Sequence, residues 1–202
     1  QAHNNGMEFH FVTREQYRQK TDEVFINTLK NTFGNFYLIP EGGTNELAIK
    51  GCAEILTNDD AVFDTICVAV GTGGTISGLI QSAKGHQHII GFPALKGDFL
   101  QKEIEHFVEK KSNWKLVQEY HFGGYAKYSE SLISFINWFY LETNVPLDPI
   151  YTGKMLFGIV DLIKKNYFSE NSKILVIHTG GLQGIEGFNN KLAKKNLELI
   201  TI

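Results

Sequence analysis

Short apolar runs alternate with longer segments of helical period along most of the chain. The apolar runs predict strands, because each spans about four to eight residues and ends in glycine, proline or polar residues. These strand candidates are residues 8–12, 36–40, 65–70, 88–92, 115–120 and 173–178.

Between the runs, apolar residues recur every three or four positions, which is the pattern of an amphipathic helix. In one such segment Ala48, Cys52 and Ile55 share a stripe. Residues 1–5 read as the end of a further helix, closed by a turn at Gly6. Strands and helices that alternate at this spacing predict an α/β fold with an open, mostly parallel, doubly wound sheet. The helix candidates are residues 22–33, 44–57, 76–84, 97–111, 129–142 and 152–166.

Composition narrows the range of partners. The formal net charge of −3 provides no electrostatic basis for binding nucleic acid or an anionic membrane surface. The apolar runs are far shorter than the roughly 20 residues of a membrane span. Cys52 and Cys67 both fall on apolar faces, so we expect buried free thiols and a reducing, cytoplasmic compartment.

Ligands of open parallel sheets bind at the carboxyl ends of the strands. The strand at 65–70 is followed by Gly71-Thr72-Gly73-Gly74-Thr75 and then by a helix. Glycines let backbone N–H groups converge, the helix N-terminus adds partial positive charge, and the threonines add hydroxyl donors. The loop lacks the Lys-Ser/Thr of a Walker loop and the spacing of a dinucleotide fingerprint. It therefore predicts a phosphate-binding turn, with a tight turn that holds no ligand as the alternative.

Three further junctions carry similar chemistry. Glu41-Gly42-Gly43-Thr44-Asn45 precedes a helix, and either Thr44 or Asn45 is a candidate N-cap. Thr179-Gly180-Gly181 follows the last strand, and Tyr151-Thr152 begins the last helix candidate. Four such features in an alternating α/β chain predict one shared site.

Two other features have plainer interpretations. His178 is either an acid/base group or, as we expect, a hydrogen-bonded core histidine at the end of a strand. The basic tail at 189–200 predicts a solvated helix or a strand edge.

Five blocks of sequence together resemble the pyridoxal-phosphate-dependent family of D-cysteine desulfhydrase and 1-aminocyclopropane-1-carboxylate (ACC) deaminase. The resemblance implies the tryptophan synthase β-like fold, which is fold type II among pyridoxal-phosphate enzymes, and it extends from about residue 5 to residue 188. The blocks are "IPEGGTNELAIKGCAEI", "VAVGTGGTISGLI", "HFGGYAKYSESLISFI", "DPIYTGKMLFGIVDLI" and "ILVIHTGGLQGI".

The resemblance implies a role for each candidate site residue. Tyr125 and Tyr151 correspond to two active-site tyrosines, and Thr152 corresponds to the partner of the pyridine nitrogen. Thr179 and Gly180 correspond to the lining of the cofactor pocket. The implied cradle for the phosphate of pyridoxal 5′-phosphate is Gly71, Thr72, Gly73, Gly74 and Thr75.

Two of these positions separate the subfamilies. The resemblance implies glutamate and leucine in true ACC deaminases where this chain has Thr152 and Thr179, and threonine at both positions in desulfhydrases. A neutral hydroxyl favours protonation of the ring nitrogen less than a carboxylate does, yet it suffices for β-elimination of a thiol. We therefore expect a lyase that converts a D-cysteine-like amino acid to pyruvate, ammonia and sulfide. The alternatives are ACC deamination to 2-oxobutanoate and, in another class, a non-catalytic phosphate-binding α/β protein.

The family's Schiff-base lysine and a Ser-Asn pair lie upstream of the matched blocks. Because the chain begins at Gln1, we expect it to be the C-terminal two-thirds of such an enzyme, inactive alone. Residues 1–42 would be the remainder of a small cofactor-covering domain, and 43–202 an incomplete large cofactor-binding domain. Lys154 matches a second family lysine and is expected to be structural. The expected partners are a small amino-acid substrate and a second copy of the chain, in a dimer.

Overall fold

The computed structural model describes residues 2–108 and 111–202. The chain divides into two compact units, Gln1–Ile39 and Pro40–Ile202. Their assignment to the small and the large domain of a pyridoxal-phosphate enzyme stays a prediction.

The first unit contains two helices, α1 (Arg14–Arg18) and α2 (Glu23–Phe33), after a short 3₁₀ turn at His3–Asn5. Helix α1 begins with a capping box, in which the side chains of Thr13 and Gln16 each accept a hydrogen bond from the other's backbone N–H. This reciprocal cap explains how so short a polar segment becomes helical.

The predicted strands at 8–12 and 36–40 are wrong, because both segments are irregular. A strand is stable only where a neighbour satisfies its backbone groups, and neither segment has a strand partner among the described residues. The predicted helix at 1–5 is a 3₁₀ turn over His3–Asn5, with Gly6 at a φ of +84° as its C-cap; Gln1 lies outside the described residues.

The second unit is built on a four-stranded, fully parallel sheet in the order β3-β2-β1-β4. The central strand β1 is buried along its whole length and pairs with β2 on one side and β4 on the other. This arrangement confirms the predicted α/β fold with a parallel sheet. The strands are β1 (Thr65–Val70), β2 (His88–Pro93), β3 (Trp114–Leu116) and β4 (Ile174–Ile177).

Helices pack on both faces of this sheet. Alternate residues of β1, such as Ile66 and Val68, pack against α4 and α5 on one face, whereas Cys67 and Ala69 pack against α7 on the other. A separate apolar cluster joins α6 and α8 to the C-terminal tail. The helices are α3 (Glu46–Cys52), α4 (Gly74–Ser82), α5 (Phe99–Phe107), α6 (Glu130–Thr143), α7 (Thr152–Lys164) and α8 (Ile185–Ala193).

The helix predictions of this unit are confirmed, with shorter bounds for α3 and α5. Helix α3 begins after Asn45, whose side chain accepts from the backbone N–H of Ala48 at 2.9 Å. Helix α5 ends at Phe107, and residues 109–110 of its predicted range lie outside the described residues. Helix α8 confirms a helix in the first part of the basic tail, but the expected solvation is wrong in part, because Leu192 and Ile200 are buried. None of the described helices is both long enough and apolar enough to cross a bilayer.

Helices α3 and α4 approach each other closely near the carboxyl end of β1. A Cβ atom on Gly78 of α4 would lie 2.5 Å from Cβ of Cys52 at the end of α3, so only glycine lets these helices meet. This contact holds α3, and the segment that precedes it, against the start of α4.

Candidate functional site

The carboxyl ends of β1, β2 and β4 open onto a cavity of about 680 Å³. Each strand contributes the residues that follow it, and the segment before α3 forms another wall. The cavity brings together every predicted site residue except Thr152. Its lining includes Glu41–Thr44, Gly71–Thr75, Leu95, Tyr125, Tyr151 and Thr179–Gly181.

The turn between β1 and α4 leaves the start of α4 open to the cavity. Gly73 stands at the N-cap with a φ of +92°, a conformation that favours glycine, and has no side chain with which to cap the helix. The backbone N–H groups of Gly74, Thr75 and Ile76 have no hydrogen-bond acceptor among the described residues. The first turn of α4 therefore presents free donors together with the positive end of the helix dipole.

A pair of threonine hydroxyls borders this turn. Oγ1 of Thr44 lies 2.6 Å from Oγ1 of Thr72, which joins the segment before α3 to the glycine turn. The approach depends on two glycines, because a Cβ atom on Gly42 would lie 2.6 Å from Oγ1 of Thr72 and one on Gly74 would lie 2.9 Å from Oγ1 of Thr44. The missing side chains leave a concave polar surface, which we call the threonine–glycine cradle (Gly42, Thr44 and Gly71–Thr75).

Two tyrosines form another part of the wall. The ring of Tyr151 lies over Gly71, where an added Cβ atom would be 3.2 Å from Cε1 of the tyrosine. The ring of Tyr125 meets it edge to face, with the ring centroids 6.2 Å apart. Burial, together with the neighbouring hydroxyl of Tyr125, raises the pKa of Tyr151 to about 12. Tyr151 therefore keeps its proton at neutral pH and offers a hydroxyl to the cavity.

The start of α7 differs from that of α4 because a buried carboxylate occupies it. Oδ1 of Asp148 accepts hydrogen bonds from the backbone N–H groups of Ile150 and Tyr151, each at 2.8 Å. Oδ2 accepts one from the backbone N–H of Thr152 at 2.8 Å and one from its hydroxyl at 2.7 Å. These four bonds fix the backbone that carries Tyr151.

Thr152 is therefore the one predicted cofactor contact that does not line the cavity. It is fully buried, and its hydroxyl also accepts from the backbone N–H of Asp148 at 3.0 Å. The hydroxyl proton is committed to Asp148, which leaves Thr152 as a structural partner of that carboxylate in this structure. Its predicted role beside a ring nitrogen stays a prediction.

The third glycine segment follows β4. Thr179 is exposed and, with Gly180 and Gly181, lines the cavity. His178 lies just outside the lining: its Nδ1 accepts from the backbone N–H of Gly180 at 3.2 Å, and its Nε2 is 2.9 Å from the carbonyl oxygen of Pro146. The hydrogen-bonding role expected of His178 is confirmed, but its expected place in the core is wrong because the side chain is exposed.

Sequence reasoning missed two parts of this site. The pairing of Thr44 with Thr72 spans 28 positions, and no local pattern indicates it. The sequence predicts either Thr44 or Asn45 as a helix cap, and the cap is Asn45. Asp148 did leave a local signal, since an aspartate followed by proline just before a helix is typical of a capping turn. Of the two cysteines, Cys67 is buried as expected, whereas Cys52 is half-buried and lines the cavity.

Comparison with known proteins places the chain in a family. The family model described as "Pyridoxal-phosphate dependent enzyme" matches residues 2–180. A Pyrococcus horikoshii protein, provisionally named a 1-aminocyclopropane-1-carboxylate deaminase, is 30% identical over 86% of this chain and 58% of its own length. The mitochondrial bifunctional D-cysteine desulfhydrase/1-aminocyclopropane-1-carboxylate deaminase of Arabidopsis thaliana is 31% identical over 89% of this chain and 51% of its own length.

A solved structure described as an ACC deaminase homologue superposes with a TM-score of 0.75 at 28% identity. It covers 96% of this chain, and this chain covers 64% of it. The chain thus spans a little over half the length of the relatives it matches. These findings confirm the expected family resemblance and fold, and the chain belongs to the family of pyridoxal-phosphate dependent enzymes.

Proposed function

We propose that this chain forms the phosphate-binding part of a pyridoxal-phosphate-dependent lyase that acts on a small amino acid. The observation that carries the proposal is the uncapped start of α4 beside the threonine–glycine cradle, at the carboxyl end of β1. Converging backbone N–H groups, a helix N-terminus and hydroxyl donors are the arrangement that binds a phosphate group.

The cradle fits a phosphate for a second reason. Alanine at Gly42 or Gly74 would collide with the side chain of Thr72 or Thr44, so the glycines allow both threonine hydroxyls to lie beside the start of α4. In this proposal Gly71–Thr75 hold the phosphate, and Thr44 adds a hydroxyl from the adjoining segment before α3. Thr179 and Gly180 contact the rest of the cofactor.

Bound pyridoxal phosphate supplies an electron sink for bond cleavage at the α-carbon of an amino acid. The chain's own contribution is to orient the cofactor and to place the tyrosine hydroxyls. Tyr151, with its pKa raised to about 12, is a protonated hydroxyl that hydrogen-bonds a reacting group without carrying charge. Tyr125, which is half exposed, lines the cavity beside it.

For the reaction, we propose β-elimination from a D-cysteine-like amino acid, in which substrate and water give pyruvate, ammonia and hydrogen sulfide. The support is the pair of threonines at 152 and 179, which resembles the desulfhydrase pattern. The buried environment of Thr152 supports a neutral group there, because its hydroxyl donates to Asp148 and any carboxylate at that position would face a like charge.

The reaction is tested on the natural polypeptide that carries this sequence. Sulfide and pyruvate from D-cysteine, with no 2-oxobutanoate from ACC, would support the proposal. Release of 2-oxobutanoate from ACC without activity on D-cysteine would establish the deaminase alternative. Inactivity on both amino acids, with phosphate binding retained, would favour the non-catalytic alternative.

We also propose that the 202-residue chain alone binds the phosphate group but does not turn over amino acids. We assign no cofactor-linking lysine in it, because Lys154 is buried and bonded to backbone carbonyls. Borohydride reduction in the presence of pyridoxal phosphate, followed by peptide mapping, should label no single lysine selectively. Stoichiometric labelling of any one lysine would contradict this.

Self-association and a cytoplasmic location remain proposals. β3 and β4 are the outer strands of the described sheet, and an open sheet edge favours pairing with another chain. Sedimentation at increasing concentration should show a dimer. A monomer throughout would remove the dimer from the proposal and leave the phosphate site untouched.

A further inference from the structure

Lys154 is almost fully buried, although lysine rarely is. Only 2% of its surface is exposed, in the first turn of α7. Its Nζ donates to the carbonyl oxygens of His121 and Gly124, both at 2.8 Å. Burial lowers the pKa of Lys154 to about 8, while the nearby carboxylate of Asp148 favours the charged form. Such a group is costly to bury, and its two hydrogen bonds go to a single turn.

That turn leads directly into Tyr125. Residues 121–124, which we call the Tyr125 turn, contain Gly123 and Gly124 at φ values of +95° and +117°. The turn is closed by a hydrogen bond from the N–H of Gly124 to the carbonyl oxygen of His121 at 3.0 Å. The carbonyl of Gly124 belongs to the peptide bond that joins it to Tyr125, so Nζ of Lys154 grips the backbone immediately before the tyrosine.

The backbone of Lys154 connects the Tyr125 turn to Tyr151. Lys154 lies three residues after Tyr151, on the backbone that Asp148 fixes at the start of α7. The two tyrosine rings meet edge to face, their hydroxyls also interact, and Tyr125 is 54% exposed. An edge contact of this kind is weak, so the placement of a half-exposed ring also depends on how its backbone is held.

We propose that Lys154 is a positioning residue that sets Tyr125 against Tyr151 by fixing the Tyr125 turn to the start of α7. The consequence for catalysis rests on the proposed function, in which both tyrosines face the substrate. The placement of the tyrosine rings does not depend on the proposed function, so an experiment can contradict the positioning role of Lys154 and the proposed function separately.

The test follows Tyr125 directly, by ¹⁹F NMR of 3-fluorotyrosine at position 125 in the 202-residue chain. The Tyr151→Phe change should shift the wild-type resonance, because the rings are neighbours. In Lys154→Met the resonance should move toward that of solvent-exposed fluorotyrosine and lose its response to Tyr151→Phe. Lys164→Met, at the exposed end of the same helix, is the matched control and should leave both signals unchanged.

Lys154→Gln is a second variant, in case Lys154→Met does not fold. Its side-chain amide can still donate to one of the two carbonyl oxygens. The Gln variant should give an intermediate shift, and Lys154→Arg, which restores the cation, should recover the response to Tyr151→Phe. Binding of pyridoxine 5′-phosphate should stay within about twofold in the folded variants, because Lys154 does not line the cavity.

The proposal is overturned if a folded Met or Gln variant keeps the wild-type resonance and its response to Tyr151→Phe. It is also overturned if phosphate binding falls in parallel with the loss of the signal, because the effect would then be general. A wild-type chain that shows the tyrosine signal but binds no pyridoxine 5′-phosphate would contradict the proposed function and leave the positioning role standing.

Discussion

Helices α4 and α7 begin at the same edge of the sheet, yet the backbone N–H groups of their first turns differ. The first two of α7 have hydrogen-bond acceptors within the chain, and those of α4 have none in the part of the chain that the structure describes. At α7 the carboxylate and the carbonyl oxygen of Asp148 accept from the N–H groups of Thr152 and Gly153. At α4 the first three N–H groups have no acceptor among the described residues. The start of α7 binds a carboxylate of its own chain, whereas the start of α4 is open to an anionic ligand.

Sequence resemblance assigns the starts of both helices to the cofactor. The difference in their hydrogen bonding indicates a structural role for the start of α7 and a binding role for the start of α4. The dipole and the free donors of a helix start are equally available at both positions before side chains are considered. Asp148 neutralises them at α7 and thereby fixes Tyr151. The glycines at α4 keep side chains away, so the donors stay accessible.

The largest effect is expected from removing the internal anion. Asp148→Ala should lower the free energy of unfolding by about 2–4 kcal/mol, because it deletes a cap and leaves buried N–H groups without an acceptor. Urea unfolding followed by circular dichroism measures the change. Asp98→Ala is the control, since Asp98 stands at the N-cap of α5 without a side-chain capping bond. Equal losses in the two variants would remove the special role of Asp148.

The second effect concerns the open helix start. Gly74→Ala should weaken binding of pyridoxine 5′-phosphate by at least about tenfold, roughly 1.4 kcal/mol, because the new Cβ atom would lie 2.9 Å from Oγ1 of Thr44. The displaced Thr44 side chain also costs some stability, which is offset in part because alanine favours a helix more than glycine does. Gly187→Ala, in α8 with open space around it, is the matched control and should bind normally. Unchanged binding in Gly74→Ala would contradict the position of the cradle.

A smaller effect is expected from single hydroxyls. Thr44→Val and Thr72→Val should each weaken phosphate binding by about threefold to tenfold, the value of one hydrogen bond of about 0.5–1.5 kcal/mol. Because the two hydroxyls are 2.6 Å apart, the double variant should lose less than the sum of the two free energies. Calorimetry measures all three, with Thr143→Val in α6 as a distant control. Strict additivity would show that the hydroxyls act independently.

The smallest effect distinguishes the two cysteines. Burial raises the pKa of Cys67 to about 12, so its thiol stays protonated and should resist alkylation in the native chain. Cys52 lines the cavity and should react with iodoacetamide. Pyridoxine 5′-phosphate should slow that reaction a few-fold, and pyridoxine without phosphate should not. Protection of Cys52 by pyridoxine alone would mean that the phosphate does not anchor the ligand.

The strands and helices that could be predicted from sequence are those whose own pattern is sufficient. β1 follows from an uninterrupted apolar run buried on both faces, and α7 from an apolar stripe along 13 residues. The segment at 8–12 alternates like a strand and the segment at 36–40 is a short apolar run, but whether a strand forms depends on a pairing partner elsewhere in the chain. Helix α1 was missed although the Thr13…Gln16 capping signature was present.

The site shows the same division. The glycine turns were predictable because glycine after a buried strand has few other uses. The contact from Thr44 to Thr72 and the grip of Lys154 on His121, 33 positions away, were not predictable, because each depends on how separate elements pack. For Thr152 the family resemblance identifies the residue but not its contact, because its hydroxyl donates to Asp148.

The most direct test is an amide NMR titration of the 202-residue chain with pyridoxine 5′-phosphate, inorganic phosphate and pyridoxine. Both phosphates should shift the amides of Gly71–Thr75 most and leave those of 150–152, which already donate to Asp148, nearly unchanged. Pyridoxine alone should cause little change. Shifts centred on 150–154, or equal shifts with pyridoxine, would contradict the claim that α4 is the open helix start that holds the phosphate.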